Sequence, residues 1–388
     1  MLALAWLLLA GAAAPVGREA ATAAVLDGLV RDDEPGLAVL VRVNGRTTFE
    51  RTYGVRDLRT RPRIDVRTGF RLASVTKQLT AAVVMLLVRD GRLRYEDTLL
   101  AVLPGFPDYA RAVTIRHLLT HTSGLPDYET LMDENEKTGA ARWTPERQIR
   151  DDEVRGLLEK ATQPRFAPGT RWAYSNSGYV LLGLVAARAA GRPFGDVLRE
   201  RIFAPLGMTR TLALQAGENE VQDRAYGHTK QGVAFRASDQ SSTSATLGDG
   251  GVYSCLDDLA RWDEALRTGA LLSEAELRLA LTPVRLGDGS QPVWPDEPGG
   301  DNLFPGRPVA YGFGWFLDPW RGRPRAWHHG ETMGFRSVVE RFPADGLTIV
   351  MLANRDDLDL RSLALKLAEA QLSGPSPEPG PPPTARRP

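Results

Sequence analysis

Residues 36–43 are apolar and β-branched almost without interruption, and residues 47–53 form a second strand-favouring run. Asn44-Gly45 separates the two, and Asn-Gly between such runs predicts a tight hairpin. Near the other end, residues 325–329, 334–342 and 347–353 predict three more strands, the last two joined by a turn at Pro343-Ala344-Asp345-Gly346. A helix over residues 357–372 follows. Between these ends the periodicity changes. Leu79, Ala82, Val83, Leu86 and Leu87 fall at i, i+3, i+4, i+7 and i+8, which predicts a helix with a single buried stripe, closed by Gly91 in a left-handed cap. Residues 179–190 predict a second helix that stops at Gly191, with Tyr174 and Asn176 in the loop that follows Pro168-Gly169. The pattern is that of an α+β chain, with an antiparallel sheet built from both termini, flanking helices and an inserted, mostly helical region. The α/β part is expected at about 21–73 and 305–372, and the helical part at about 74–304.

Composition narrows the picture. At 388 residues and 43% hydrophobic, the chain can bury a large core. Lys+Arg and Asp+Glu both total 48, so there is no net charge to attract nucleic acid or an anionic membrane. The lone Cys255 excludes an internal disulfide. Residues 2–14 are apolar and end in small side chains. They are too few for a membrane span of about 20 residues but suit a secretory signal peptide, expected over 1–20, although the first basic residue is Arg18. The protein is therefore expected to be exported, periplasmic or extracellular. The proline-rich residues 373–388 have little to bury and are expected to be a disordered tail.

Three short motifs carry chemistry: Ser74-Val75-Thr76-Lys77, Tyr174-Ser175-Asn176 and His328-His329-Gly330. The first puts a hydroxyl one helical turn from an amine, on the same helix face. A neutral amine there can take the serine's proton as the oxygen attacks a carbonyl carbon. Of five lysines only Lys77 has a serine three residues before it. A lysine works as a base only when neutral; lowering its pKa by about three units takes roughly 4 kcal/mol, supplied by burial or a nearby cation. Tyr174 is a second candidate base or proton shuttle. Asn176 could bind a substrate amide or orient Lys77. Both of the first two motifs sit where helices begin, which favours developing negative charge.

These motifs resemble those of the serine β-lactamase and penicillin-binding protein superfamily, in particular the group of class C β-lactamases, D-alanyl-D-alanine carboxypeptidases, D-aminopeptidases and related esterases. Residues 115–125 (IRHLLTHTSGL), 250–254 (GGVYS) and 258–262 (DLARW) are also similar to segments of that group, so the likeness runs from about Gly36 to Asn354. It implies a β-lactamase/transpeptidase-like fold with the active site in a groove between its two parts, and an acyl-enzyme on Ser74. Two segments compete with His328-His329-Gly330 for the third motif. Lys137-Thr138-Gly139 matches the family's Lys-Thr-Gly by spelling, but precedes Tyr174 and lies in a polar run that reads as loop. Lys230-Gln231-Gly232 reads as a turn. By the resemblance, Gly330 lets substrate approach the strand, and the backbone N–H groups of Ser74 and Glu331 form an oxyanion hole. His328 stands where the family often has lysine, so a partly charged imidazole would meet a substrate carboxylate.

The reaction expected first is hydrolysis of D-amino-acid peptides, of carboxypeptidase or aminopeptidase type. An esterase, a β-lactamase and a non-catalytic penicillin-binding sensor are the alternatives. The substrate is a peptide or small molecule carrying an amide, ester or β-lactam. No cofactor is implied and no metal is expected: His117 and His121 have the i,i+4 spacing of a zinc pair, but Leu118 stands where the glutamate of His-Glu-x-x-His belongs.

Overall fold

Asn44 and Gly45 both take positive φ, 51° and 78°, the paired left-handed conformation that lets a two-residue hairpin follow the twist of its strands. They join β1 (Leu37–Val43) to β2 (Arg46–Tyr53). The computed structural model describes residues 15–140, 142–296 and 302–372; residues 1–14 of the expected leader and the expected tail, 373–388, lie outside these. α1 (Pro15–Leu26) precedes the hairpin, so the boundary expected at residue 20 falls inside a helix. β3 (Phe70–Arg71) leads into the inserted region. That region contains α2 (Thr76–Arg89), α3 (Leu99–Val102), α4 (Ile115–Leu119), α5 (Tyr128–Lys137), α6 (Asp151–Lys160), α7 (Asn176–Ala190), α8 (Phe194–Leu198) and α9 (Ala204–Leu206). β4 (Leu212–Ala213), β5 (His228–Gln231), β6 (Ala234–Ala237) and β7 (Val252–Ser254) follow, then α10 (Leu256–Thr268) and α11 (Glu274–Ala280). The chain closes with β8 (Ala326–Thr332), β9 (Phe335–Phe342), β10 (Leu347–Ala353) and α12 (Leu360–Gln371).

The main sheet has the order β2-β1-β10-β9-β8, antiparallel throughout, so the two chain ends meet at its centre, where β1 pairs with β10 from Leu37↔Ala353 to Val43↔Leu347. Covering both faces explains why β1 is a continuous apolar run rather than an alternating one. Leu37, Val39 and Val41 pack with Leu26 of α1 and Leu363 and Leu367 of α12, whereas Ala38 and Leu40 join the core of the helical region. α10 is pinned to the second face by Asp263, whose carboxylate accepts hydrogen bonds from Arg42 (2.7 Å), Arg341 (3.1 Å) and Thr348 (2.7 Å).

Three expectations about the inserted region need correction. α2 is not amphipathic: every residue from Thr76 to Leu87 is buried, because the helix runs through the centre of the domain rather than along its surface. The polar run around Asp133–Glu136 is not a loop but part of α5, held by the Asp127 cap on the Thr130 N–H (3.0 Å) and by buried Tyr128 and Met132. α7 begins at Asn176, three residues before the predicted start, with Ser175 capping the Gly178 N–H at 3.0 Å. The region also holds a small β3-β7-β4 sheet and a β5-β6 hairpin.

Candidate active site

Ser74 lies in a single 3-10 turn, Ala73–Val75, that runs straight into α2. Ala73, immediately before it, has φ +46°, a left-handed conformation that costs a residue with a Cβ roughly 1–3 kcal/mol. The turn is held against the sheet by Ser337 Oγ, which donates to the Leu72 carbonyl at 2.6 Å, and against β7 by the Leu72 N–H to Val252 O, 2.9 Å. From Thr68 to Leu87 every residue is buried except Ser74. The backbone thus lifts one hydroxyl out of an otherwise closed core.

Lys77 is completely buried behind that hydroxyl. Its Nζ lies 3.1 Å from Ser74 Oγ, 2.8 Å from Asn176 Oδ1 and 2.9 Å from the backbone carbonyl of Asp249. Two of these three are obligate acceptors. As an ammonium the lysine can donate to all three; once neutral it has two N–H bonds and one lone pair, and bonding both Asn176 and Asp249 would then turn the lone pair toward Ser74. Tyr174 and Asn176 are partly exposed on the far side of the lysine, whose Nζ stands 4.8 Å from the Tyr174 ring centroid. Beneath Tyr174 the His121 ring packs at 4.4 Å, with its Nδ1 accepting the Ser175 N–H at 3.1 Å. Burial, then the nearby Lys77 and His328, holds His121 well below the ordinary histidine range.

The third motif occupies β8, the edge strand of the sheet, but its side chains do not act as the sequence suggested. His328 is fully buried. Its Nδ1 is 2.7 Å from the His329 carbonyl, so that nitrogen carries the proton, and its Nε2 accepts from Tyr311 OH at 3.1 Å. Burial, followed by His329 and Lys77, depresses its pKa far below the usual value. Burial, then Arg361, brings His329 down to about 3. Neither imidazole is a partly charged receptor for a substrate carboxylate near neutrality. Gly330 makes a close contact within the protein itself. A Cβ there would stand 2.1 Å from Leu72 O and 3.0 Å from Ser74 N, so the missing side chain lets the strand touch the nucleophile's own turn. Glu331 is exposed. On the same strand Trp327 exchanges both backbone bonds with Phe316 on the side away from β9, and the β8–β9 register has no slip. By alternation, the Glu331 N–H also points to that outer edge.

A cavity of about 920 Å³ opens from Tyr174 and Asn176. One wall is α5 with its preceding cap, carrying Asp127, Glu129 and Glu134; Lys160 and Arg165 stand among the residues of the other, and Trp172 and Trp294 also line it. Of the competing motifs, Lys137-Thr138-Gly139 forms the exposed C-terminal end of α5 and its cap, with Thr138 in the lining of the cavity, and Lys230 lies within β5, ion-paired with Asp357 at 3.1 Å. The His117 Nδ1 accepts the Thr114 N–H at 3.2 Å in a capping box, whereas the His121 Nδ1 accepts the Ser175 N–H.

Residues 22–372 match the β-lactamase family. The chain belongs to that family. Among curated relatives, it is 32% identical over 351 residues to penicillin-binding protein 4* of Bacillus subtilis, covering 87% of this chain and 72% of the relative. It is 28% identical over 346 residues to the D-aminopeptidase of Brucella canis, covering 89% of this chain but only 61% of that protein. Among solved structures, the D-amino acid amidase from Ochrobactrum anthropi SV3 complexed with L-phenylalanine amide superposes with TM-score 0.71 at 25% identity, covering 91% and 98% of the two chains. The protein is a serine hydrolase of the β-lactamase family, with the mixed α/β architecture of that group. Sequence reasoning missed Asp249, which works through its backbone, and His121 and Tyr311, which pack beneath the site. The segments 115–125 and 250–254, both noticed as family-like, carry His121 and adjoin Asp249, and were the available signal.

Proposed function

We propose that the protein cleaves amides of D-amino acids bearing a free amine, an aminopeptidase-type reaction through an acyl-enzyme on Ser74. The observation that carries this reading is the pair of obligate acceptors on Lys77, which aims its lone pair at the Ser74 hydroxyl. Lys77 takes the Ser74 proton as Oγ attacks the carbonyl carbon. The N–H groups of Ser74 and Glu331 receive the oxyanion. As the C–N bond breaks, the proton passes to the leaving amine from Lys77 or through the Tyr174 hydroxyl, and water then hydrolyses the ester. Asn176 orients Lys77 and presents its amide N–H to the substrate. The buried, neutral His328 supplies no cation for a C-terminal carboxylate, which supports the aminopeptidase over the carboxypeptidase type. The α5 carboxylates favour an ammonium group on the acyl side, in keeping with the D-aminopeptidase among the relatives. A neutral His328 also suits neutral esters, the second reading. The apolar leader supports export.

The test compares D-alanyl-p-nitroanilide with its N-acetyl derivative. The free amine should be preferred by about tenfold or more in kcat/KM, a difference of about 1.4 kcal/mol. Ser74→Ala should abolish turnover of both. Lys77→Arg should be nearly as damaging as Lys77→Ala, because arginine stays protonated. An active Ser74→Ala would refute the acyl-enzyme, and preference for the acetylated compound would refute the amine reading. Intact mass after incubation with a penicillin separates a persistent Ser74 adduct, as in a peptidase, from the rapid loss shown by a β-lactamase.

A further inference from the structure

α6 begins with three acidic residues, Asp151, Asp152 and Glu153. An acid in a first turn ordinarily faces solvent, where it meets the positive end of the helix. Glu153 does take part in its own helix's cap, reaching back to the Arg150 N–H at 3.1 Å. Asp151 does not. It is buried, and its Oδ1 accepts the N–H of Leu247 at 3.0 Å, 96 residues away in sequence. Burying a carboxyl costs several kcal/mol unless it is neutral and bonded, so this inward turn calls for a reason.

Leu247 opens a five-residue segment, 247–251, that delivers the Asp249 carbonyl to Lys77. The segment has little freedom. The Gly248 carbonyl accepts from Thr80 Oγ1 of α2 at 2.7 Å, and a Cβ on Gly248 would collide with the Tyr179 carbonyl at 2.2 Å. The Gly251 N–H closes the turn onto Leu247 O at 3.0 Å. Two groups grip it from the groove-lining helices: Asp151 of α6 at Leu247, and the Tyr128 hydroxyl of α5 in a long bond of 3.4 Å to Asp249 Oδ2. Tyr128 also ties its own N–H to Ser177 Oγ at 2.9 Å, next to Asn176, the lysine's other acceptor.

We infer that Asp151 is a positioning residue for the lysine base, holding the Asp249 carbonyl in place through the Leu247 N–H, with Tyr128 as its weaker partner. The inference rests on the Ser74–Lys77 reading above. If the carbonyl drifts, Lys77 loses one of the two acceptors that aim its lone pair, and both proton transfers it serves, from Ser74 in acylation and from the attacking water in deacylation, slow together while substrate contacts stay intact. Burial pushes the Asp151 carboxyl up to about 8. At neutral pH the grip is therefore a neutral one, which an asparagine Oδ1 can reproduce.

The experiment uses p-nitrophenyl acetate, an activated ester that any Ser74 acyl-enzyme would turn over whatever its natural substrate, with kcat normalised to burst-titrated sites. Asp151→Ala should lower kcat about tenfold with KM within about twofold, since a lost transition-state interaction of about 1.4 kcal/mol has that size and signature. Asp151→Asn should restore kcat to within about threefold of wild type. Tyr128→Phe, which leaves Asp151 untouched and carries the test should Asp151→Ala not fold, should lower kcat at least threefold at unchanged KM. Wild-type kcat per site in Asp151→Ala, or in Tyr128→Phe where only that variant folds, overturns the inference, as does an Asp151→Asn as slow as alanine. Ser74→Ala is the control: if it retains turnover, the acyl-enzyme reading itself has failed, whereas a dead Ser74→Ala beside a fully active Asp151→Ala removes only this inference.

Discussion

Burial raises the Asp151 carboxyl from 3.8 to about 8, and that makes folding itself depend on pH. The folded state holds a proton that the unfolded chain has released at neutral pH. The contribution of Asp151 to stability therefore declines as pH climbs from about 4 to about 8, because over that span its carboxyl binds a proton in the native state that the unfolded chain has lost. Asp151→Asn has no proton to hold. Urea unfolding should find the variant nearest to wild type at about pH 4 and progressively more stable toward pH 8, by up to several kcal/mol at about 1.4 kcal/mol per unit. A difference independent of pH would show that Asp151 is ionised in the folded protein. Other residues of the site were legible from spelling and spacing alone: Ser74, Lys77, Tyr174 and Asn176 converge as their motifs suggested. Those that escaped act in ways spelling does not record. Asp249 uses a backbone carbonyl, Ala73 a left-handed φ, and Asp151 a direction of burial opposite to that of its neighbours on the same turn.

At the level of elements, hairpins were the most readable feature, because Asn44-Gly45 and Pro343–Gly346 specify turns chemically. Helices followed the surrounding packing instead. α2 was recognised, but its burial on every side was not, since an apolar stripe says nothing about what covers the opposite face. α5 escaped because its polar residues lack a wide apolar face, and two buried side chains and one cap hold it. The third motif shows how an element can be placed correctly while its side-chain contacts stay hidden: β8 is where it was expected, and its first histidine is buried against Tyr311. Gly330→Ala tests the contact between this strand and the nucleophile's turn. Its Cβ would press on backbone atoms of Leu72 and Ser74, so the turn must move. A displacement near 1 Å should lower kcat by roughly a hundredfold, with Tm falling by several degrees. An alanine variant at wild-type rate would mean that the turn tolerates the shift.

Across the whole molecule, the decisive arrangement is that the central sheet joins the two ends of the chain. The Gly36 N–H donates to Asn354 Oδ1 at 2.7 Å across 318 positions of sequence, and β1 has β10 as its inner neighbour. The nucleophile belongs to the first quarter of the chain, whereas the strand it packs against is near the last. A chain stopped at residue 324, before β8, should show no turnover of p-nitrophenyl acetate and should lose the near-UV circular dichroism of a packed core, because α2 would then lack the sheet that its turn rests on. Turnover by that fragment would show that the serine and lysine suffice without the strand. Such long-range pairing also delays folding, since contacts that close large loops form late. During synthesis the ribosome releases Ser74 and Lys77 long before β8 emerges, so a nascent or prematurely terminated chain carries a reactive pair without the backbone that would make it an enzyme. If that fragment proves inert, the hydrolase is switched on by its own last strands, and cutting activity arrives only once they have joined the sheet.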